Sequence, residues 1–375
     1  MESFLTLFRM TGISAMTGPN FFMILAGALL VWLAVGKRFE PLLLLPIGFG
    51  VLVGNIPAIQ NIDIGVYDSN SVMNLIYSGV TSGLFPPLMF LGLGAMTDFS
   101  GLLSNPKLAL LGIAGQVGIL VSFLGALWVG NFTQAADAGA IAIAGSADGL
   151  SATFLASKIS IDLLPPIAVA AFTAMALLRV IQPPVMKLLT TSAERKIRMS
   201  PPRMVSKAER IVFPVVAFLI LAAIAPAAVA LLGMFFFGNL LKESCVTEKL
   251  ANTARNALMD TVTILLGFAV GVSTDVSRFE TRYLLIFVLT FVSVIVATAA
   301  GVLCAKLMNA VCKDKVNPLI GGAGIGAMPY AAHVAHNVGQ KEDPQNFLLM
   351  HAMAPNIAGL IGSAIAAGLI WAVVV

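Results

Sequence analysis

Long apolar stretches separated by short polar turns make up most of the chain. Uncharged, mostly apolar runs reach membrane-spanning length at residues 284–305 and 355–375, and nearly reach it at residues 21–36 and 211–229. A helix needs about 20 such residues to cross a bilayer. Together with the apolar stretches that are interrupted, the pattern predicts roughly ten spans plus re-entrant pieces.

Two glycine-rich interruptions stand out, one in each half of the chain. They are GSADGLS at residues 145–151 and NPLIGGAGIGAMP at residues 317–329. Lipid tolerates an unwound backbone only where protein or a water-filled cavity satisfies its N–H and C=O groups. Paired broken segments are typical of transporter binding sites. We therefore expect an all-α polytopic membrane protein with two broken or re-entrant segments and, from architecture alone, an inverted repeat.

The composition agrees with a membrane protein. Of the 375 residues, 58% are hydrophobic and 11% are charged, whereas a soluble domain carries about 25% charged residues. The three cysteines, Cys245, Cys304 and Cys312, are an odd number without paired metal spacing. We expect them to be small buried residues, not a disulfide framework.

Positive charge is concentrated in the middle of the sequence. Seven of the 22 Lys and Arg residues fall between positions 187 and 210, which favours retention of this loop in the cytoplasm. An anionic-lipid patch or a docking site for a soluble partner are alternatives. No aromatic interleaving or binding motif accompanies the charge, so nucleic acid is not expected as a partner. The loop divides the chain into a membrane half at residues 1–190, a basic cytoplasmic loop at 191–210 and a second membrane half at 211–375.

Asp148 is the strongest candidate for chemistry inside the membrane. It is an ionisable residue in apolar sequence with a glycine directly after it, and such a charge is a functional hypothesis by default. A sodium ion prefers oxygen ligands, as other hard cations do. The Asp148 carboxylate, the hydroxyls of Ser146 and Ser151 and unwound carbonyls would supply them. Alternatively Asp148 caps a helix N-terminus, and the two roles can coexist.

The second broken segment offers fewer titratable groups. Asn317 is either a turn residue before Pro318 or part of a cavity lining. The glycine pattern after it is not a nucleotide fingerprint, because no strand precedes it and no acidic residue follows at the required distance. His333 and His336 resemble a metal pair, but no third protein ligand is evident and no transition metal is expected. His333 titrates near neutrality and is a candidate proton donor; the alternative is a hydrogen bond between helices.

Longer blocks of sequence resemble one known family. They include LLLLPIGFG, GLFPPLMFLGLGAMTDF, SADG, NPLIGGAGIGAMP and QNFLLMHAMAPNIAGLIGSAIAAG, in the family's order and over nearly the whole chain. The chain is similar to the β subunit of the sodium-pumping biotin-dependent decarboxylases, which act in oxaloacetate, methylmalonyl-CoA, glutaconyl-CoA and malonate decarboxylase complexes. The resemblance implies a subunit that decarboxylates carboxybiotin and exports sodium.

The resemblance also implies partners and a location. Carboxybiotin would be supplied by a partner subunit, and the sodium ion would be the transported cargo. Biotin carrier and carboxyltransferase subunits and a small membrane subunit are expected, in a bacterial-type inner membrane, with a homo-oligomer left open. No biotin-attachment site, carboxylase domain or ATP loop is evident in this sequence. The alternative is a stand-alone sodium- or proton-coupled organic anion carrier of similar fold that has lost decarboxylation.

Three positions match the family's functional residues. The family's essential aspartate corresponds to Asp148, and its asparagine and glycine in the second broken segment correspond to Asn317 and Gly321. The resemblance therefore implies a sodium site through Asp148 and Asn317, with both residues also needed for catalysis.

Other positions depart from the family at the expected reaction centre. The family's serine in the second broken segment is Gly326 here, and the arginine shortly after it is His333. Loss of the serine removes an expected ion ligand, and Tyr330 or a serine of the first broken segment would have to replace that oxygen. Histidine does not reproduce the bidentate fork by which arginine binds a carboxylate.

Arg179 is the third departure, because the family carries proline there. An arginine within an apolar span is expected to face the bundle interior. It would either bind the carboxylate of the substrate in place of the missing arginine, or pair with Asp148 or Asp260 for structure. A third alternative is that it snorkels along the helix to the cytoplasmic surface.

Overall fold

The computed structural model describes residues 11–57, 64–129, 132, 134–276, 280–312 and 314–375, apart from the side chains of residues 281 and 282. Regular structure within these ranges is helical, without a strand. The predicted all-α class is therefore confirmed.

The helices are numbered in chain order. Those of the first half are α1 Gly18–Gly36, α2 Pro41–Gly54, α3 Val72–Thr81, α4 Phe85–Met96, α5 Ser100–Ser104, α6 Ala109–Gly115, α7 Val117–Val129, α8 Ala135–Ala144, α9 Gly149–Ile159, α10 Leu164–Ala176 and α11 Leu178–Leu189. Those that follow are α12 Ser192–Arg195, α13 Lys207–Ile224, α14 Val229–Glu243, α15 Glu248–Thr253, α16 Met259–Val272, α17 Thr281–Val311, α18 Tyr330–Glu342 and α19 Leu349–Val374. A 3₁₀ turn at Pro318–Ala323 precedes α18.

Several helical stretches are long and apolar enough to cross a membrane. Six such stretches lie among the described residues, and two bent helix pairs raise the number to eight. The pairs are α3 with α4, bent by 64°, and Ile161–Ala176 with α11, bent by 60°. A polytopic membrane protein is confirmed, but the expected count of roughly ten spans is not.

The apolar run at residues 211–229 is not one span. α13 begins at a capping box, in which the Ser206 hydroxyl accepts from the backbone of Glu209 and the Glu209 side chain accepts from the backbone of Ser206. The helix ends at Ile224, and a 3₁₀ turn starts at Pro226. Proline has no backbone N–H to continue the helix ladder, which explains the break.

The helices pack in two groups. In one, the hairpin formed by α1 and α2 packs on α16, and α14 packs on α4. In the other, α6 to α11 and α17 to α19 surround the two broken segments. The division of the sequence at residues 190 and 211 and the inverted repeat stay predictions.

The basic loop marks one end of this assembly. Lys306, near the end of α17, donates to the Leu189 carbonyl at 3.1 Å and lies 3.1 Å from a Glu194 carboxylate oxygen. The ends of α11 and α17 and the loop therefore share one face, here called the basic face.

The three cysteines are free. Cys245 is exposed because it lies in the turn after α14, so its predicted burial is wrong.

Candidate functional site

The two broken segments meet in the interior. The backbone N–H of Gly326 donates to the Ser146 carbonyl at 3.0 Å. Between α8 and α9, Ala147 adopts a left-handed backbone with φ of +53°, which costs a non-glycine residue about 1–2 kcal/mol. This turn places Asp148 at the start of α9, where one carboxylate oxygen accepts from the N–H groups of Leu150 and Ser151 at 3.2 and 3.0 Å. Asp148 is therefore a helix N-cap, the alternative raised from sequence.

The other carboxylate oxygen of Asp148 belongs to a buried polar cluster. It accepts a hydrogen bond from the Ser363 hydroxyl of α19. The Asp148 residue is only 1% exposed, and no lysine or arginine among the described residues forms an ion pair with it. The Ser151 hydroxyl lies beside the carboxylate but outside hydrogen-bonding geometry and has no partner in the described part of the chain. These oxygens are suited to a hard cation.

We call this cluster the crossing site; it consists of Ser146, Asp148, Ser151, Gly326 and Ser363. Asp148 and Ser363 leave no room for a side chain at position 326, because a Cβ there would lie 2.7 Å from the Asp148 Cβ and 2.9 Å from the Ser363 hydroxyl. Sequence reasoning missed Ser363. The signal was its place seven residues after Asn356, which puts both polar residues on one face of α19.

Two amide side chains satisfy the unwound backbone of the second broken segment. Asn356 donates to the carbonyls of Ala323 and Ile325 at 3.0 and 2.9 Å. Gln182 of α11, which the sequence did not single out, donates to the Gly322 carbonyl at 2.7 Å. Irregular backbone at this depth needs such partners. The arrangement explains how the segment stays open within a packed interior.

Asn317 makes its contacts at the basic face. Its side-chain oxygen accepts from the Leu319 N–H at 3.0 Å, and its amide donates to the carbonyls of Arg195 and Ile197 at 2.8 and 2.9 Å. No contact joins Asn317 to Asp148 among the described hydrogen bonds. Both atoms of the Asn317 amide are thus engaged in holding the basic loop, and a sodium site shared by the two residues stays a prediction.

Gly321 lies in the 3₁₀ turn and allows two backbones to touch. A Cβ at this position would lie 2.1 Å from the carbonyl oxygen of Gly301 in α17, well inside van der Waals contact. Its contacts are those of a packing glycine at the base of the broken segment.

Arg179 lies outside the crossing site, on the first turn of α11. Its terminal nitrogen is 2.6 Å from a carboxylate oxygen of Glu40, in the turn between α1 and α2. Its acidic partner is therefore Glu40 and not Asp148 or Asp260, as sequence reasoning had considered. The bend between α10 and α11 turns this residue toward the α1–α2 hairpin, and its side chain is 48% exposed.

A groove of about 380 Å³ lies between α11 and α18. Its lining is Arg179, Pro183, Val334, Asn337, Val338, Gln340 and Lys341. His333 is exposed on α18, and Arg179 lies within electrostatic range of both His333 and Tyr330. Tyr330 is thus grouped with Arg179 and Glu40. The predicted site residues therefore separate into the crossing site, the groove and the attachment of the basic loop.

A second, larger cavity of about 710 Å³ opens at the opposite face. Residues from α1, the start of α10 and the start of α17 line it, including Phe22, Leu30, Pro165 and Phe287. It lies between the same α1–α2 hairpin and the group of helices that carries the crossing site.

Ion pairs fix the basic loop to the end of α18. A hydrogen bond from the Arg195 side chain to Glu342, at 2.9 Å, lowers the pKa of that carboxyl below its ordinary value. A hydrogen bond from Arg198 at 2.8 Å likewise lowers the pKa of Asp343. The loop, Asn317 and α18 therefore form one connected unit at the basic face.

Comparison with known proteins gives a consistent result. The family model described as the Na⁺-transporting oxaloacetate decarboxylase beta subunit matches residues 19–374. The chain is 44% identical to methylmalonyl-CoA decarboxylase subunit beta of Propionigenium modestum, covering 99% of this chain and 98% of the relative. It is 44% identical to the oxaloacetate decarboxylase beta chain of Klebsiella pneumoniae, covering 98% of each. It is 47% identical to glutaconyl-CoA decarboxylase subunit beta of Acidaminococcus fermentans, covering 97% and 96%.

Proposed function

The chain belongs to the family of the Na⁺-transporting oxaloacetate decarboxylase beta subunit, and from this premise we propose that it decarboxylates carboxybiotin and couples this reaction to sodium export. It is the multi-pass membrane subunit of a multi-subunit complex. The observation that carries the proposal is the crossing site, a buried carboxylate with spare oxygen ligands where two broken segments meet.

The crossing site is assigned to the transported cation. A buried carboxylate without a counter-charge is costly, and a bound sodium ion or a proton would neutralise Asp148. Ser151 and Ser363 contribute hydroxyl oxygens, and the backbone of Ser146 and Gly326 lies close to them. Asn317 and Gly321 support this site by holding the second broken segment in place.

The groove is assigned to the decarboxylation step. The bond between the carboxyl carbon and the biotin nitrogen breaks, carbon dioxide leaves, and the electron pair remains on nitrogen, which takes up a proton. Arg179 binds the carboxylate in place of the arginine that the family carries at position 333. His333, which lies near Arg179, supplies the proton as the nearby group that titrates closest to neutral pH. Partial burial and the Arg179 charge hold the pKa of His333 below its ordinary value, which favours release of that proton.

Partners are required for the complete cycle. We assign the delivery of carboxybiotin to a biotin carrier subunit and the upstream transfer to a carboxyltransferase subunit, both at the basic face. A small membrane subunit, a bacterial-type inner membrane and assembly with further copies of the chain complete the proposal.

Addition of a carboxylated biotin carrier to the purified chain in vesicles tests this function. The proposal expects carbon dioxide release that depends on the chain and requires sodium. A stand-alone anion carrier would instead move an organic anion with sodium or protons, without releasing carbon dioxide. That outcome, together with failure to co-purify any biotin-carrying protein, would contradict the proposal.

A further inference from the structure

The α1–α2 turn places a charged group, Glu40, against Arg179 of the groove, and the proposed catalytic roles leave this group unused. Glu40 is the last residue of that turn, and its side chain is only 9% exposed. Its one ion-pair partner among the described residues is Arg179, 2.6 Å away. A nearly buried carboxylate needs such a partner. The contact is an ion pair without hydrogen-bond geometry, because the same Glu40 oxygen has no hydrogen-bond partner in the described part of the chain.

The backbone of this turn is strained in a way that presents Glu40. Arg38 has φ of +55° and Glu40 has φ of +39°, both left-handed. Each non-glycine residue in this region costs about 1–2 kcal/mol. Such conformations persist only where the surrounding structure enforces them, and they cluster at functional sites. The turn therefore directs Glu40 at Arg179 at an energetic cost.

The chemistry of the groove selects a class of ligand. Lys341 supplies a second cation, and Asn337 and Gln340 supply amide donors and acceptors. Arginine has five N–H donors in a rigid fork, so one nitrogen can face Glu40 while others remain for a ligand. A carboxylate attached to a flat urea-like ring would use both kinds of group, and the volume of about 380 Å³ is of the order that holds small ligands.

We propose that Glu40 is a positioning residue that fixes Arg179 toward the carboxylated ring in the groove, and that Lys341 attracts this ring at the mouth of the groove. The inference rests on the proposed function and names additional residues that serve it. Pre-organised side chains bind more tightly because less ordering is needed on binding.

Steady-state kinetics on the reconstituted complex test the proposal, with a carboxylated biotin carrier added at varied concentration. Glu40→Gln and Lys341→Gln are expected to raise KM for the carrier about 3- to 10-fold, the effect of one hydrogen bond or charge contact. The sodium concentration for half-maximal rate should stay unchanged. Glu40→Asp should recover part of the loss. Matched controls are Arg38→Gln in the same turn and Lys249→Gln, an exposed lysine elsewhere, which should keep the wild-type KM.

Several outcomes would overturn the inference. If Glu40 only neutralised Arg179, Glu40→Gln would free a positive charge and lower KM. An unchanged KM in Lys341→Gln, at an exposed side chain that does not affect folding, would also contradict it, even if Glu40→Gln failed to fold. A wild-type complex that releases no carbon dioxide would contradict the proposed function itself. Normal turnover of the wild type, together with an unchanged KM in Glu40→Gln and Lys341→Gln, would contradict the proposed role of the groove and leave the proposed function intact.

Discussion

Two serines place hydroxyls at Asp148, but they differ in what they do for the fold. The Ser363 hydroxyl donates to the carboxylate, whereas the Ser151 hydroxyl is buried without a partner in the described part of the chain. An unused buried oxygen beside a carboxylate has no evident role in stability. It is the ligand that a hard cation would need.

Ser151→Ala therefore separates stability from ion binding. We expect the free energy of unfolding to change by less than about 1 kcal/mol, because the Ser151 hydroxyl loses at most a poorly aligned contact with the Asp148 carboxylate. The sodium concentration for half-maximal transport should rise about 3- to 10-fold, since a ligand oxygen is removed. Thermal unfolding and sodium-dependent turnover are the measurements. Ser157→Ala, on the same helix with its hydroxyl bonded to Phe154, is the control, and equal sodium dependence in both variants would count against the site.

Asp148→Asn tests the charge itself. Asparagine is as good a helix N-cap as aspartate, so the fold should survive. Sodium transport should fall on the order of 100-fold, because a buried cation would lose the carboxylate that the described residues place in the crossing site. Asp137, in the first turn of α8, is another carboxylate and accepts a hydrogen bond from Ser160. Asp137→Asn should retain transport. Near wild-type transport in Asp148→Asn would show that the cation binds elsewhere.

The sequence revealed some of these residues and not others. Asp148 was predictable because a carboxylate beside glycine in apolar sequence is conspicuous. Ser363, Gln182 and Glu40 were missed because their roles arise from contacts between helices that are remote in sequence. Arg179 was noticed as a departure, but its partner was not predictable, because the bend between α10 and α11 decides which way it points.

Among the elements, the second broken segment depends on close backbone contacts. The 3₁₀ turn at Pro318–Ala323 touches α17 where Gly321 meets Gly301. The apolar pattern predicted an interruption there because glycine and proline are frequent. It did not predict which glycines touch a neighbour, since this depends on helix crossing points. For the same reason the apolar pattern did not predict the bends within the pairs α3 with α4 and α10 with α11.

Gly321→Ala should destabilise this contact. A Cβ placed 2.1 Å from a backbone oxygen forces the turn and α17 apart, at a cost of about 1–3 kcal/mol or more. Gly18→Ala, where nothing lies within 4 Å of the added Cβ, is the control. Thermal unfolding in detergent measures both, and equal midpoints would contradict the packing role of Gly321.

The attachment of the basic loop to α18 should depend on pH in the acidic range. The folded-state pKa values of Glu342 and Asp343 lie below their ordinary values of 4.5 and 3.8. The ion pairs therefore contribute fully above the ordinary values and are lost as pH falls through the lowered folded-state values. Hydrogen exchange of the loop amides, corrected for intrinsic rates, should stay slow at pH 6 and accelerate below about pH 4.

Glu342→Gln provides the matching test at constant pH. It removes the ion pair with Arg195 and should accelerate exchange in the loop at neutral pH. Glu248→Gln, at an exposed glutamate at the start of α15, is the control. Loop exchange that is insensitive to both acid and Glu342→Gln would mean that other contacts, such as those of Asn317, hold the loop alone.

At the scale of the whole molecule, the two sites lie at different depths of one assembly. The groove opens near the basic face and the crossing site is buried, while α18 runs directly from the second broken segment toward the groove. The α1–α2 hairpin contacts Arg179 of the groove through Glu40, and residues of α1 line the opposite cavity.

The central claim is that decarboxylation and sodium movement are one coupled process through Asp148. Simultaneous measurement of carbon dioxide release and sodium uptake in sealed proteoliposomes of the purified complex tests it most directly. We predict that both rates rise together with sodium concentration, and that Asp148→Asn abolishes both while Asp137→Asn abolishes neither. The account would be contradicted if carbon dioxide were released at the wild-type rate without sodium uptake, either by the wild-type complex or by the Asp148→Asn variant.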